Sequence, residues 1–151
     1  RIYVKVLVRT DPEDNMGYIL HCKSCGHHKT QKEQDHSCEV CGKKIESAGP
    51  LWIGEIYDKA FVDSMLSKLE NFEVSKSCEK TLLKCQQEIG MPATYFTLDE
   101  LARKMHSAPI SLEKAIEKLQ KAGFKAGPTS LNSSGLKTNA RIDEVLRLFQ
   151  N

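Results

Sequence analysis

The stretch HCKSCGHHKTQKEQDHSCEVCGK, residues 21–43, decides the fold. It carries Cys22, Cys25, Cys38 and Cys41 as two C-x-x-C pairs with twelve residues between them. Each pair sets two thiolates on one tight turn, and the interval is long enough for two strands to fold back. Four thiolates can then converge tetrahedrally on one ion at a Zn–S distance of about 2.3 Å. Gly26 and Gly42 follow the second cysteine of each pair, where the chain must swing away with few steric limits. These are the knuckles of a zinc ribbon, and the expected ion is a structural Zn²⁺. Two disulfides are the plainer alternative, but a two-residue spacing closes strained loops and suits ligation better. A redox C-x-x-C is less favoured again, because two copies face each other with no βαβ setting. His21, His27, His28 and His36 crowd the same stretch and, with four sulfurs at hand, are expected to be solvated loop residues. Four sulfur ligands leave no open coordination position, so the site serves structure rather than chemistry.

A chain of 151 residues fits one domain or two small ones. No run approaches the ~18 apolar residues of a membrane span, and no signal peptide opens the sequence. The start at Arg1, without methionine, points to a fragment or a processed chain. The six cysteines divide into four ligands plus Cys78 and Cys85, which are expected on one face of a helix as small core hydrophobes. Reduced thiols are expected in the cytoplasm, where disulfides rarely persist.

Working outward from the knuckles, residues 2–9 alternate apolar and polar as a half-buried strand. Asp11 to Asn15 breaks it with turn formers. Gly17 to Leu20 reads as a second strand entering the first knuckle, and Lys44 to Ser47 as a short strand leaving the second. The run Gly49-Pro50-Leu51-Trp52-Ile53-Gly54 is expected to pack its aromatic between two flexible points. From Asp58, a fair N-cap, the period becomes helical: Phe61, Val62, Met65, Leu66 and Leu69 form one stripe. Val74, Cys78, Leu82, Cys85 and Ile89 form a second, closed by Gly90 and Pro92.

Thr97-Leu98-Asp99-Glu100 is a capping box opening a helix that buries Leu98, Leu101, Ala102 and Met105. After Pro109 and Ser111 a second helix turns Leu112, Ala115, Ile116, Leu119 and Ala122 inward and stops at Gly123. A hairpin follows, with a tip at residues 130–135, and then a last helix carrying Ile142, Val145, Leu146 and Phe149, capped by Thr138 or Asn139. Helix, turn, helix and hairpin in that order describe a winged helix. The expected class is therefore α+β: a strand plus zinc ribbon over residues 1–57, and a helical, winged-helix-like subdomain over 58–151.

The net charge of +2 conceals an asymmetry. Residues 1–57 hold eight basic and eight acidic side chains. Between positions 103 and 141 stand eight basic residues, Arg103, Lys104, Lys114, Lys118, Lys121, Lys125, Lys137 and Arg141, against only Glu113 and Glu117. Such a surplus is either a solvated lysine-rich face or a surface for phosphates. Lys114, Lys118 and Lys121 share one outward helical stripe, which suits backbone phosphates better than base edges. The chain holds no glycine-rich phosphate loop, no G-x-S-x-G and no H-E-x-x-H. No nucleophile stands beside a base at an interpretable spacing, and lone His106 reads as a helix-end residue. No catalytic or cofactor-binding residue is expected on this chain.

The knuckles followed by Gly49-Pro50-Leu51-Trp52-Ile53-Gly54-Glu55-Ile56 form part of an ordered set of motifs. The set opens with Arg1-Ile2-Tyr3-Val4-Lys5-Val6 and closes with Gly123-Phe124-Lys125-Ala126 and Gly135-Leu136-Lys137-Thr138-Asn139-Ala140. It resembles the C-terminal portion of archaeal tRNA (guanine-26-N2)-dimethyltransferases. The resemblance implies a missing N-terminal Rossmann-like domain that binds S-adenosylmethionine and bears an Asp-Pro-Pro-aromatic motif, neither of which is in this sequence. It also implies tRNA as partner. Two positions depart from the family: Ser130 stands where the family carries histidine, and Asn139 where it carries aspartate. No role tied to those residues transfers.

The expected function is a tRNA-binding module that grips the phosphate backbone while another domain transfers methyl groups. The alternative from a different class is a zinc-ribbon and winged-helix transcription factor that binds DNA. A third reading makes the basic stripe mere surface and the chain a scaffold docking on another domain or copy.

Overall fold

The computed structural model describes residues 12–150, so the strand expected at residues 2–9 lies outside them. The first sheet is antiparallel, in the order β2-β1-β3, with β1 at Met16–His21, β2 at His28–Gln31 and β3 at Glu46–Trp52. A single turn of 3₁₀ helix, Pro12–Asn15, leads into it. Ile19 faces Thr30 on one side and Ala48 on the other. The strand expected at Lys44 to Ser47 is in fact longer and shifted, because β3 continues through Gly49 and Pro50 to pair Trp52 with Met16. Proline cannot donate to a ladder, and β3 tolerates it as an edge strand beside an irregularity between Gly17 and Ile19. Trp52 is not packed as expected: it is 48% exposed, with its indole N–H donating to Glu55 O.

Helix α1, Lys59–Ser67, starts where Asp58 accepts from the Phe61 amide, yet only Val62 of its stripe is buried and Phe61 is exposed. Helix α2, Lys76–Glu88, is capped by Ser75. Cys85 is buried in it, but Cys78 is exposed in the first turn, a correction to the expectation that both face the core. The stripes of the next three helices hold better because they meet partners. In α3 (Leu98–Met105), α4 (Leu112–Lys121) and α5 (Ile142–Gln150) the residues Leu101, Ala115, Leu119 and Val145 are fully shielded around Phe96 and Leu136. Strands β4 (Phe96–Thr97), β6 (Gly135–Thr138) and β5 (Ala126–Pro128) form a second antiparallel sheet in that spatial order.

Thr97 Oγ1 accepts from the Glu100 amide, and His106, in the left-handed conformation, ends α3. Neither Thr138 nor Asn139 caps α5. Thr138 Oγ1 instead accepts from the Ala140 amide, Asn139 Oδ1 takes the Lys125 amide, and the Glu144 carboxylate takes that of Arg141. Among the described residues no helix is long and apolar enough to cross a membrane.

One buried ion pair joins α2 to β6. Glu88 Oε2 lies 2.8 Å from Lys137 Nζ, off the angle of a well-formed hydrogen bond, and both side chains are almost fully shielded. Glu88 Oε1 accepts from the Ser130 amide, and the Ser130 hydroxyl meets Tyr57 Oη at 2.6 Å. Burial alone would push the Glu88 carboxyl up, but the Lys137 ammonium and the Ser130 N–H hold it below the ordinary carboxylate range. A carboxyl so depressed contributes stability at neutral pH that is lost as pH falls through its folded value. Lys137→Met leaves the buried Glu88 without its cation, and is expected to cost about 3–5 kcal/mol in chemical denaturation. Glu88→Gln with Lys137→Met keeps an acceptor for Ser130 and is expected to recover most of that loss. A single variant as stable as the parent would show that the pair contributes nothing.

Candidate metal centre and basic face

The two C-x-x-C turns fold alike. In the first, the Gly26 amide donates to Cys22 O and the Cys22 amide to His27 O, both at 2.8 Å. In the second, the Gly42 amide donates to Cys38 O at 2.8 Å and the Cys38 amide to Lys43 O at 2.7 Å. Gly26 and Gly42 have φ of +82° and +70°, the left-handed conformation that side chains resist. Each turn thereby aims two sulfurs inward. Cys22 Sγ lies 3.5 Å from Cys41 Sγ, Cys25 Sγ lies 3.6 Å from Cys38 Sγ, and all four gather within 4.8 Å of one another. A tetrahedral ion with Zn–S bonds of about 2.3 Å holds its sulfurs about 3.8 Å apart, so donor set and spacing fit such an ion.

Burial opposes ionisation of Cys22, but the Cys25 amide and the neighbouring thiols bring it down to about 6. Cys25 is pushed up to about 12, chiefly by burial, while the His27 amide pulls the other way. Ligation must therefore displace thiol protons.

The histidines divide. His36 is exposed, as expected of a loop residue, and His21 is half-exposed, 4.0 Å from Glu100. His27 and His28 are not solvated. His27 is 2% exposed, its Nε2 3.1 Å from Glu39 Oε1, and Glu39 Oε2 takes Lys29 Nζ at 2.7 Å. Burial lowers the His27 pKa, against the pull of Glu39. His28 Nδ1 bonds Thr94 Oγ1 at 2.8 Å, and its ring packs on Phe96 with centroids 4.1 Å apart. Burial, helped by His21 and His27, brings His28 down to about 4. This seam between the β1–β2 hairpin and the β4 region was missed by the sequence reading. Its only signal was a His-His pair directly after a knuckle.

The basic residues do not form one free face. Lys137 is buried against Glu88, which removes it from any surface. Lys104 Nζ donates to Lys23 O and Ser24 O, so it clamps α3 onto the first knuckle. Lys118 is half-buried and donates to Leu148 O at 3.2 Å, Lys121 pairs with Glu117, and Arg141 grips Asp143 through Nε and a terminal nitrogen. Arg103, Lys114 and Lys125 are exposed and form no ion pair among the described residues. The surplus thus splits into cations that fasten the fold and cations that face solvent.

A family model described as N2,N2-dimethylguanosine tRNA methyltransferase matches residues 1–150. A tRNA (guanine(26)-N(2))-dimethyltransferase of Methanothermobacter thermautotrophicus is 31% identical over 96% of this chain and 40% of its own length. The enzyme of the same name from Methanobrevibacter smithii is 31% identical over 99% of this chain and 41% of its length. The chain thus spans about two fifths of the curated relatives it matches. A solved complex of Trm1 from Pyrococcus horikoshii with S-adenosyl-L-methionine superposes with a TM-score of 0.74 at 20% identity, over 90% of this chain and 35% of that one. That likeness shows a shared fold.

Elemental analysis is expected to find one Zn²⁺ per chain, bound less tightly as pH falls because four thiolates must form. A strong chelator is expected to abolish the near-UV circular dichroism of the ribbon. Metal-free protein with that spectrum intact would rule out a structural ion.

Proposed function

The chain belongs to the N2,N2-dimethylguanosine tRNA methyltransferase family, and on that premise we propose that it grips tRNA while a separate domain methylates a guanine. The observation that carries this reading is the solvent-facing cationic set, Arg103, Lys114, Lys121 and Lys125, on a fold whose family acts on tRNA. Lysines are mobile point charges suited to phosphates, and phosphate contacts fix register without reading sequence. A base inside folded tRNA must be exposed before its exocyclic amine can react, which an appended domain assists by holding the backbone. The methyl donor is S-adenosylmethionine, bound by a domain outside these residues, and the protein works in the cytoplasm.

Two subdomains serve this role. Over residues 1–57 a ribbon is closed by Zn²⁺ on Cys22, Cys25, Cys38 and Cys41. Over 58–151 we read the order α3, α4, β5, β6, with β4 completing the sheet, as winged-helix-like, the loop at 129–134 being the wing. The alternative of a DNA-binding regulator has no support among the relatives, which are tRNA methyltransferases.

Alanine at Lys114, Lys121 and Lys125 together is expected to weaken tRNA binding and to reduce the salt slope by about 2–3, roughly one unit per lost phosphate contact. Filter binding across a salt series measures both. An unchanged slope would remove these three lysines from the function.

A further inference from the structure

Lys104 stands on α3, in the helical half, yet its ammonium reaches the first cysteine turn. Its Nζ lies 3.0 Å from Ser24 O and 3.3 Å from Lys23 O. We infer that Lys104 is a positioning residue of the metal centre, holding the two peptides that support Cys22 and so tightening metal retention from outside the ribbon. The inference rests on the metal reading of the four cysteines and is independent of the tRNA proposal.

The argument begins with which carbonyls are held. Lys23 and Ser24 stand between Cys22 and Cys25. The carbonyl of Lys23 and the N–H of Ser24 belong to one planar peptide, and the carbonyl of Ser24 and the N–H of Cys25 to the next. Both of those N–H groups are directed at Cys22 Sγ and favour negative charge there. An ammonium at the carbonyl end of a peptide polarises the whole unit, which makes the N–H at its other end a stronger donor. Two parallel relays therefore run from one nitrogen to one sulfur.

The placement of Lys104 is built into the fold. Its side chain is half-buried, and the contact joins residues 80 positions apart. A Cβ at Gly26 would come within 3.2 Å of Lys104 Cε and 3.3 Å of Glu100 Oε1, so this face of α3 lies directly on the turn. Among the described residues Lys104 forms no ion pair, so no carboxylate cancels its charge. The ammonium of Lys23, in the turn itself, is taken by Glu46 at 2.8 Å.

Electrostatics gives a cation a task at this point. Four thiolates carry more negative charge than a divalent ion cancels, so a loaded centre is anionic. Cys22 is fully shielded and Cys38 nearly so, which leaves water little part in stabilising that charge. Protein donors must do it, and groups behind the ligands then set how tightly the metal is held. Lys104 adds such a group from the half of the molecule that carries the exposed cations, so metal retention depends on the docking of α3 as well as on the ribbon.

The test measures the zinc affinity of the whole chain by competition with a chromophoric chelator. Lys104→Met keeps the apolar stem and removes the charge. It is expected to weaken zinc binding about 10–100-fold, the range for removing a group that orients a metal ligand, and Lys104→Arg is expected to recover most of that loss. In zinc-saturated protein labelled with ¹⁵N, the Ser24 and Cys25 amide protons are expected to move upfield in Lys104→Met, as weaker hydrogen bonds require. Thr94→Val loosens the same seam between the halves by removing the bond to His28, and is expected to leave the affinity and both resonances unchanged. Equal losses of affinity in Lys104→Met and Thr94→Val would reduce Lys104 to a docking contact and overturn the inference. So would a Lys104→Met chain that holds zinc as tightly as the parent, with the metal reading left standing. A parent chain that binds no zinc would instead sink the metal reading, and the inference with it.

Discussion

The convergence of four sulfurs is the constraint on which the first half of this molecule depends. The buried cluster of the ribbon consists of Leu20, Cys22, Cys38 and Ile45, so two of its four shielded residues belong to the cysteine cluster. Strand β3 is exposed along its whole length, and β2 is only half-buried. A sheet with so little apolar surface to hide cannot offset the entropy of ordering its backbone. A metal ion held by the four sulfurs would supply what the side chains lack and would make folding and ligation one equilibrium.

That small cluster is also continuous with the large one. Cys25 and Val40 pack against both, so each C-x-x-C turn sends one residue toward the larger core. Polar contacts reinforce the same seam. Lys104 holds the carbonyls of the first knuckle, and the ring of His28 is fixed by Thr94 and Phe96. The two sheets are thereby set relative to one another through groups that have directional requirements. Apolar burial alone would permit sliding; hydrogen bonds at defined angles do not. On the far side, Glu88 and Lys137 do the same for α2, β6 and the loop at Ser130.

Legibility followed the number of residues that must agree. The knuckles were readable because four cysteines and two glycines at fixed spacing admit few structures. The helices α3 and α4 were readable because each carries a cap or stop together with an apolar stripe that meets a partner, and α5 by its stripe alone. Expectations failed where a single residue type was asked to reveal its surroundings. Cys78 and Cys85 share a helical face, yet the end of α2 near Glu88 is covered while its first turn is open. Trp52 lies on an edge strand, and Phe61 on a helix with one buried position. Periodicity identifies which residues share a side of an element. Whether that side is covered depends on what the rest of the chain brings to it.

The same principle governs the charges, and it changes what the basic surplus means. A lysine in a sequence is a long apolar stem with a head that seeks acceptors, and its fate is set by the nearest acceptor that folding delivers. For Lys104 that is a pair of knuckle carbonyls, for Lys118 the end of α5, and for Lys137 a carboxylate brought from α2, forty-nine positions earlier in sequence. None of these partners lies within a helical turn of its lysine, so no local pattern announces them. Counting cations therefore overstates the field available to a polyanion, while understating how much of the basic composition fastens the architecture. Of the cations between positions 103 and 141 that still face water, Lys114 and Lys121 lie on α4, Lys125 just beyond it and Arg103 on α3. On the proposed reading such a surface would hold a phosphate backbone without dictating its sequence, since phosphate contacts position while base contacts specify.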